Sequence, residues 1–149
     1  MIIDANRRLS NLRCALPGLL IAAAIGCASK DVYVADRKTA YEAYDAGLTA
    51  FAAKDFPTAD AKFTIAIDAG VLNPDFYCFA VTKRALCWAV AGKYDEALAE
   101  LDKLGAGASN PDEVLIARSY IYKKQGKLAE ANAALAKARQ YNRTIKEVQ

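Results

Sequence analysis

Three alanines set the period of this chain. Ala59, Ala97 and Ala131 each sit in a similar stretch, and they stand 38 and 34 residues apart. Around the first lie Gly47, Asp55-Phe56-Pro57-Thr58, Phe63 and Ala66. Around the second lie Trp88, Gly92-Lys93-Tyr94-Asp95-Glu96 and Leu101, and around the third Tyr122, Gly126-Lys127-Leu128-Ala129-Glu130, Leu135 and Ala138. A repeat of this length is one supersecondary unit that cannot bury its apolar face alone, so successive copies must stack to form a core.

The units are helical. Asn73-Pro74 and Asn110-Pro111 each place a capping Asn before a Pro at the first helical position, and Phe56-Pro57 opens a helix in the same way. Asp112 and Glu113 put carboxylates in a first turn, where the helix dipole favours them. Gly105-Ala106-Gly107 ends a helix, because Gly accepts the left-handed conformation. Tyr94, Ala97, Leu98, Leu101 and Leu104 recur with helical period. Abundant Ala with 8 Gly and 4 Pro favours helix further. The pattern predicts six helices, over about 32–53, 57–69, 74–91, 94–104, 111–125 and 128–145.

A 34-residue period with Gly, an aromatic or Leu, and Ala at the inter-helix turn resembles the tetratricopeptide repeat. Gly47 matches that family's small position in the first helix of a repeat. Trp88 and Tyr122 match its aromatic, and Gly92 and Gly126 its turn glycine. Ala59, Ala97 and Ala131 match the close-packed site of the second helix, and Phe63, Leu101 and Leu135 the site after it. Departures are Ala50 for the aromatic, Lys54 for the turn Gly, a first linker four residues too long for the family, and Arg84 and Arg118 where Leu is usual. The resemblance covers about residues 36–141. It implies an all-α fold of about three helical hairpins stacked as a short right-handed superhelix over 36–149.

The N-terminus reads as an address. Arg7, Arg8 and Arg13 precede the uncharged run from Cys14 to Ser29, and charge resumes at Lys30-Asp31. A basic start, a short apolar run and small residues at its end describe a secretory signal. Sixteen residues interrupted by Pro17-Gly18 are short for a membrane span of about 20. Ala24-Ile25-Gly26-Cys27 is similar to the lipobox of bacterial lipoproteins, in which the chain is cut before the Cys. The resemblance implies a signal peptide over 1–26, diacylglycerol and an acyl chain on Cys27, and a tether over 27–35. Two or three acyl chains hold a small domain on a membrane where one holds weakly. An uncleaved signal anchor is the alternative. Ala28 and Ser29, rather than Asp, follow the Cys, which by family analogy points to the periplasmic face of the outer membrane, with the inner membrane as second choice.

The composition excludes more chemistry than it offers. There is no His, the usual general base near neutral pH and the commonest metal ligand. Without residues 1–26 the balance is 17 basic to 16 acidic residues, too even for a nucleic-acid binder that must neutralise phosphates. Cys78 and Cys87 lie nine residues apart on one predicted helix, about 13 Å at helical rise. That exceeds the ~7 Å limit for a disulfide, so both are expected as buried free thiols. No catalytic residue, metal site or small-molecule substrate is expected.

The repeat resemblance implies a concave groove lined by the first helix of each repeat. Its register points Tyr41, Tyr44, Leu48, Phe51, Phe79, Thr82, Leu86, Ile116, Tyr120, Lys123 and Lys124 toward it. Aromatic anchors give large contact area at modest entropy cost, which suits a bound peptide or protein segment. The family's Lys and Asn clamp for C-terminal carboxylates is absent, because Tyr44 and Leu48 stand there. The expectation is a lipid-anchored scaffold binding a protein partner in an envelope assembly such as pilus, secretion or outer-membrane machinery. A constitutive structural subunit and an enzyme accessory subunit are the alternatives.

Overall fold

The computed structural model describes the backbone of residues 25–145, and the side chains of Val34 and of residues from 36 onward within that span. The expected signal segment before Ile25 and the Cys27 side chain lie outside the described residues. The described chain is helical and contains no strand. Its order is α1 (Ile25–Ala52), α2 (Phe56–Asp68), α3 (Pro74–Val90), α4 (Tyr94–Asp102), a 3-10 turn (Gly105–Gly107), α5 (Pro111–Lys124) and α6 (Leu128–Tyr141). Helices successive in the chain pack on one another. α3 also touches both α1 and α5.

Local chemistry explains the starts. The Asp55 carboxylate accepts from the Thr58 amide at 3.2 Å and opens α2, and the Asn73 side chain accepts from the Phe76 amide at 2.9 Å and opens α3. Asn110 was expected to cap α5 and makes no such bond. Its side chain lines a hollow beside Tyr44 and Phe76 instead, and Pro111 with Asp112 and Glu113 starts the helix. α1 begins seven residues before the expected start at 32, so the segment foreseen as a tether is helical and takes in the Cys27 backbone. Val34 and residues 36–39 are exposed, and Ala40 is the first buried residue described.

The turns between α1 and α2, α3 and α4, and α5 and α6 share one feature. Lys54, Gly92 and Gly126 have φ of 62°, 81° and 76°. Each turn thus reverses through a left-handed residue, which Gly adopts freely and Lys does not.

The core has two parts joined by α3. One packs Tyr44, Ala59, Phe63, Ala66, Ala80 and Cys87. The other packs Cys78, Ala85, Ala97, Leu101, Val114, Ala117 and Ile121. The three alanines that set the repeat are buried, as are Phe63, Leu101 and Leu135 one turn later. At Gly47 the reason for a small residue is direct: a Cβ there would stand 2.8 Å from the Phe63 ring. Cys78 and Cys87 are buried and free, as their spacing requires.

Candidate functional site: an apolar groove across alternate helices

α1, α3 and α5 are neighbours, and their sequence-distant apolar residues meet at one end of the array. Phe51 and Ala52 from the end of α1, Phe56 from the start of α2, Leu86 and Val90 from α3, and Ile116, Ala117 and Tyr120 from α5 wall a hollow of about 370 Å³. Lys54 is the one charged residue in its lining. The volume lies within the range of about 300–1,000 Å³ usual for ligand pockets. The walls are held by edge-to-face aromatic packing of Phe51 on Phe56, with centroids 5.5 Å apart. Val90, on the rim, is 46% exposed.

A second hollow lies toward the start of α3. It is lined by Tyr44, Asp75, Phe76, Phe79 and Asn110. Phe76 anchors it, packing edge-on against Tyr41 at 5.2 Å and Tyr44 at 4.9 Å. Lys83 stands between the two hollows. Its Nζ is 5.3 Å from the ring centroids of both Phe51 and Phe79, a cation–π arrangement that ties α1 to α3. Lys124 Nζ is 5.4 Å from the Tyr120 ring.

Of the residues the sequence pointed to the groove, Phe51, Leu86, Ile116 and Tyr120 meet in the first hollow. Tyr44 and Phe79 line the second. Thr82 does not face an open groove: it is 2% exposed, and its hydroxyl donates to the Cys78 carbonyl one turn back at 2.8 Å. Leu48 is half-buried against the first core cluster and lines neither hollow. Thr82 misses because the buried arc of α3 is wider than the helical register implies. Tyr41 sits at the edge, with Arg37 5.6 Å over its ring and its hydroxyl accepting from the Asn73 amide. Lys123 lines a separate hollow between α5 and α6 with Ser119 and Leu128. The expected set omits Phe56, Val90, Lys54 and Lys83. Lys54 carried a signal, since it replaces the turn Gly. Phe56 is marked only as a helix start.

Outside the groove several charged side chains pair between helices. Arg84 on α3 forms an ion pair with Glu100 on α4, and Glu100 also accepts from Lys103 at 2.7 Å. Burial would raise the Glu100 carboxyl, but the Lys103 and Arg84 cations outweigh it and hold it below the usual carboxylate range. Arg84 donates to Thr64 Oγ1 and lies 5.2 Å over the Trp88 ring, whose Nε1 donates to Asp60. Arg118 pairs with Asp102 at 2.6 Å. Burial, with the Asp60 carboxylate, pushes the Cys87 thiol up to about 12. A thiol so raised is a poor nucleophile. Among the described residues no group of three or more Cys, Asp or Glu is placed to hold a metal ion, and no helix is long and apolar enough to cross a membrane.

Compared with protein-family models, curated proteins and solved structures, the chain matches none.

Proposed function

We propose that this chain is a lipid-anchored interaction module of the bacterial cell envelope, which holds a protein or peptide segment in the groove between α1, α3 and α5. The observation that carries it is the hollow itself. It gathers Phe51, Leu86, Val90, Ile116 and Tyr120 from three helices around open apolar space. Apolar surface left open in this way marks a binding groove or an interaction surface more often than a packing defect.

The tetratricopeptide-like arrangement is part of the same proposal. Three features support it: consecutive helices pair through left-handed turns at Lys54, Gly92 and Gly126, the first helices of the pairs are neighbours, and the repeat alanines are buried. The anchor at Cys27 rests on the lipobox-like Ala24-Ile25-Gly26-Cys27. α1 would then join the lipid to the domain as a continuous helix. From Cys27 to Ala40 it spans about 20 Å at helical rise, so the groove would stand clear of the headgroups.

A constitutive structural role is the second reading. It is favoured by Leu128 and Tyr141 on α6, which are 60% and 59% exposed and would suit a permanently stacked neighbour.

The anchor is tested by mass spectrometry of the mature N-terminus from membranes of cells making the wild type and Cys27→Ala. A diacylated and N-acylated terminus at Cys27, lost in the variant, is expected. An intact Met1 terminus in the wild type would refute the anchor. The groove is tested by a photo-crosslinking amino acid at Tyr120 and, as a control, at Ala133 on α6. A discrete protein adduct from the groove position alone is expected. Adducts from Ala133 alone would favour the structural role.

A further inference from the structure

The charges around the groove are one-sided. Lys54 is the single charged residue in the first hollow's lining. The Lys83 ammonium sits over Phe51 and Phe79, and the Lys124 ammonium over Tyr120. Among the described residues no carboxylate lies within ion-pair distance of any of these three, whereas Arg84, Lys103 and Arg118 all have carboxylate partners. Lys124 lies in the last turn of α5, where the helix dipole by itself favours a cation. Lys83 lies well inside α3 and has no such reason to be there. At the other end of the groove the second hollow carries Asp75 and no cation. The groove is therefore apolar along its floor, cationic at the ends of α1 and α5 and midway along α3, and anionic toward the start of α3.

We infer that the groove takes an acidic segment of a partner protein, with apolar side chains in the hollow between Leu86 and Ile116 and carboxylates over Lys54, Lys83 and Lys124. This rests on the groove-binding function proposed above and adds the chemistry of the partner. Ammonium groups already held on aromatic rings lose less side-chain freedom when a carboxylate arrives than free lysines do. They also steer the segment's direction, because its acidic end is attracted to the lysines and repelled by Asp75.

The test is selection of a random dodecapeptide display library on the full chain in dodecyl maltoside micelles. Wild type, Val90→Trp and the double variant Lys83→Glu/Lys124→Glu are compared, each checked for native helicity by circular dichroism. Val90 is on the rim, so the larger, uncharged indole fills the hollow's mouth without opening the core. Peptides lost on Val90→Trp are groove-dependent. The inference expects these to carry an excess of Asp and Glu beside apolar residues, to bind the double variant about tenfold or more weakly, and to bind more weakly at high salt. Groove-dependent peptides of neutral or basic composition overturn the inference and leave the groove-binding reading intact. No groove-dependent peptide at all overturns both. Binding to phosphatidylglycerol vesicles that is lost in the double variant, with no acidic peptide selected, assigns the lysines to a lipid surface and also overturns it.

Discussion

Arg84 on α3 and Glu100 on α4 form an ion pair inside the protein, with the Glu100 side chain 2% exposed and that of Arg84 11%. The pair fixes α4 on α3 and reaches α2 through the Arg84 bond to Thr64. Removing one partner of such a pair leaves a charge in low dielectric, whereas replacing both with apolar residues does not. Glu100→Leu is expected to lose about 3–5 kcal/mol, and Arg84→Leu/Glu100→Leu to recover most of that loss. Urea unfolding of the three proteins, followed by the fluorescence of Trp88, measures both.

The same carboxylate makes stability depend on pH. Glu100 is held below its ordinary value of 4.5 in the folded chain. Its contribution is therefore complete above the unfolded value and is lost as pH falls through the folded one. The stability difference between wild type and Glu100→Gln should be constant from neutrality down to the ordinary carboxylate range and shrink below it. A difference that grows on acidification would contradict this assignment. Urea midpoints measured across the acid range decide it.

Gly47 and Phe63 set how closely α1 and α2 approach. Gly47→Ala gains helix propensity of about 1 kcal/mol. It also drives a methyl into the Phe63 ring, an overpacking cost of about 1–3 kcal/mol. A net loss is expected, and Phe63→Leu in the Gly47→Ala background should cost less than in the wild type. A double-mutant cycle by chemical denaturation reads the coupling.

Lys54 holds the turn conformation that Gly92 and Gly126 hold elsewhere. Lys54→Gly should relieve a left-handed penalty and stabilise the chain by about 0.5–1 kcal/mol. Gly126→Ala should destabilise it by about 1 kcal/mol. Thermal unfolding distinguishes the opposite signs. Because Lys54 lines the groove, Lys54→Gly should also weaken binding of the acidic peptides selected above, separating stability from recognition.

Cys78 and Cys87 are 2% and 3% exposed, and the Cys87 thiol is raised to about 12 by burial and Asp60. At pH 8 neither should react with a maleimide in the native state, and both should react in urea. Peptide mapping by mass spectrometry, which separates these sites from Cys14 and Cys27, gives the result.

Much of this fold is written in local pattern. Ala59, Ala97 and Ala131, the Asn-Pro and Phe-Pro starts and the glycine turns place six helices, because capping, proline geometry and helical periodicity act within a few residues along the chain. The same pattern marks Phe63, Leu101 and Leu135 as buried, and the nine-residue spacing of Cys78 and Cys87 already excludes a disulfide. The resemblance to tetratricopeptide repeats, through its register, implies that Phe51, Leu86, Ile116 and Tyr120 share a side of the array. It does not reveal that Thr82 turns into the core, that Phe56 joins the groove from a different helix, or that Lys83 bridges Phe51 and Phe79. Arg84 and Arg118 stand out in the sequence only as departures from an expected Leu. Their carboxylate partners, Glu100 and Asp102, lie sixteen residues away on α4, and only packing brings them within reach. Periodicity determines which residues form helices and which face is apolar. The width of the buried arc, the pairing of charges and the open hollow depend on how closely the helices approach and at what angle, and the tertiary structure alone decides those.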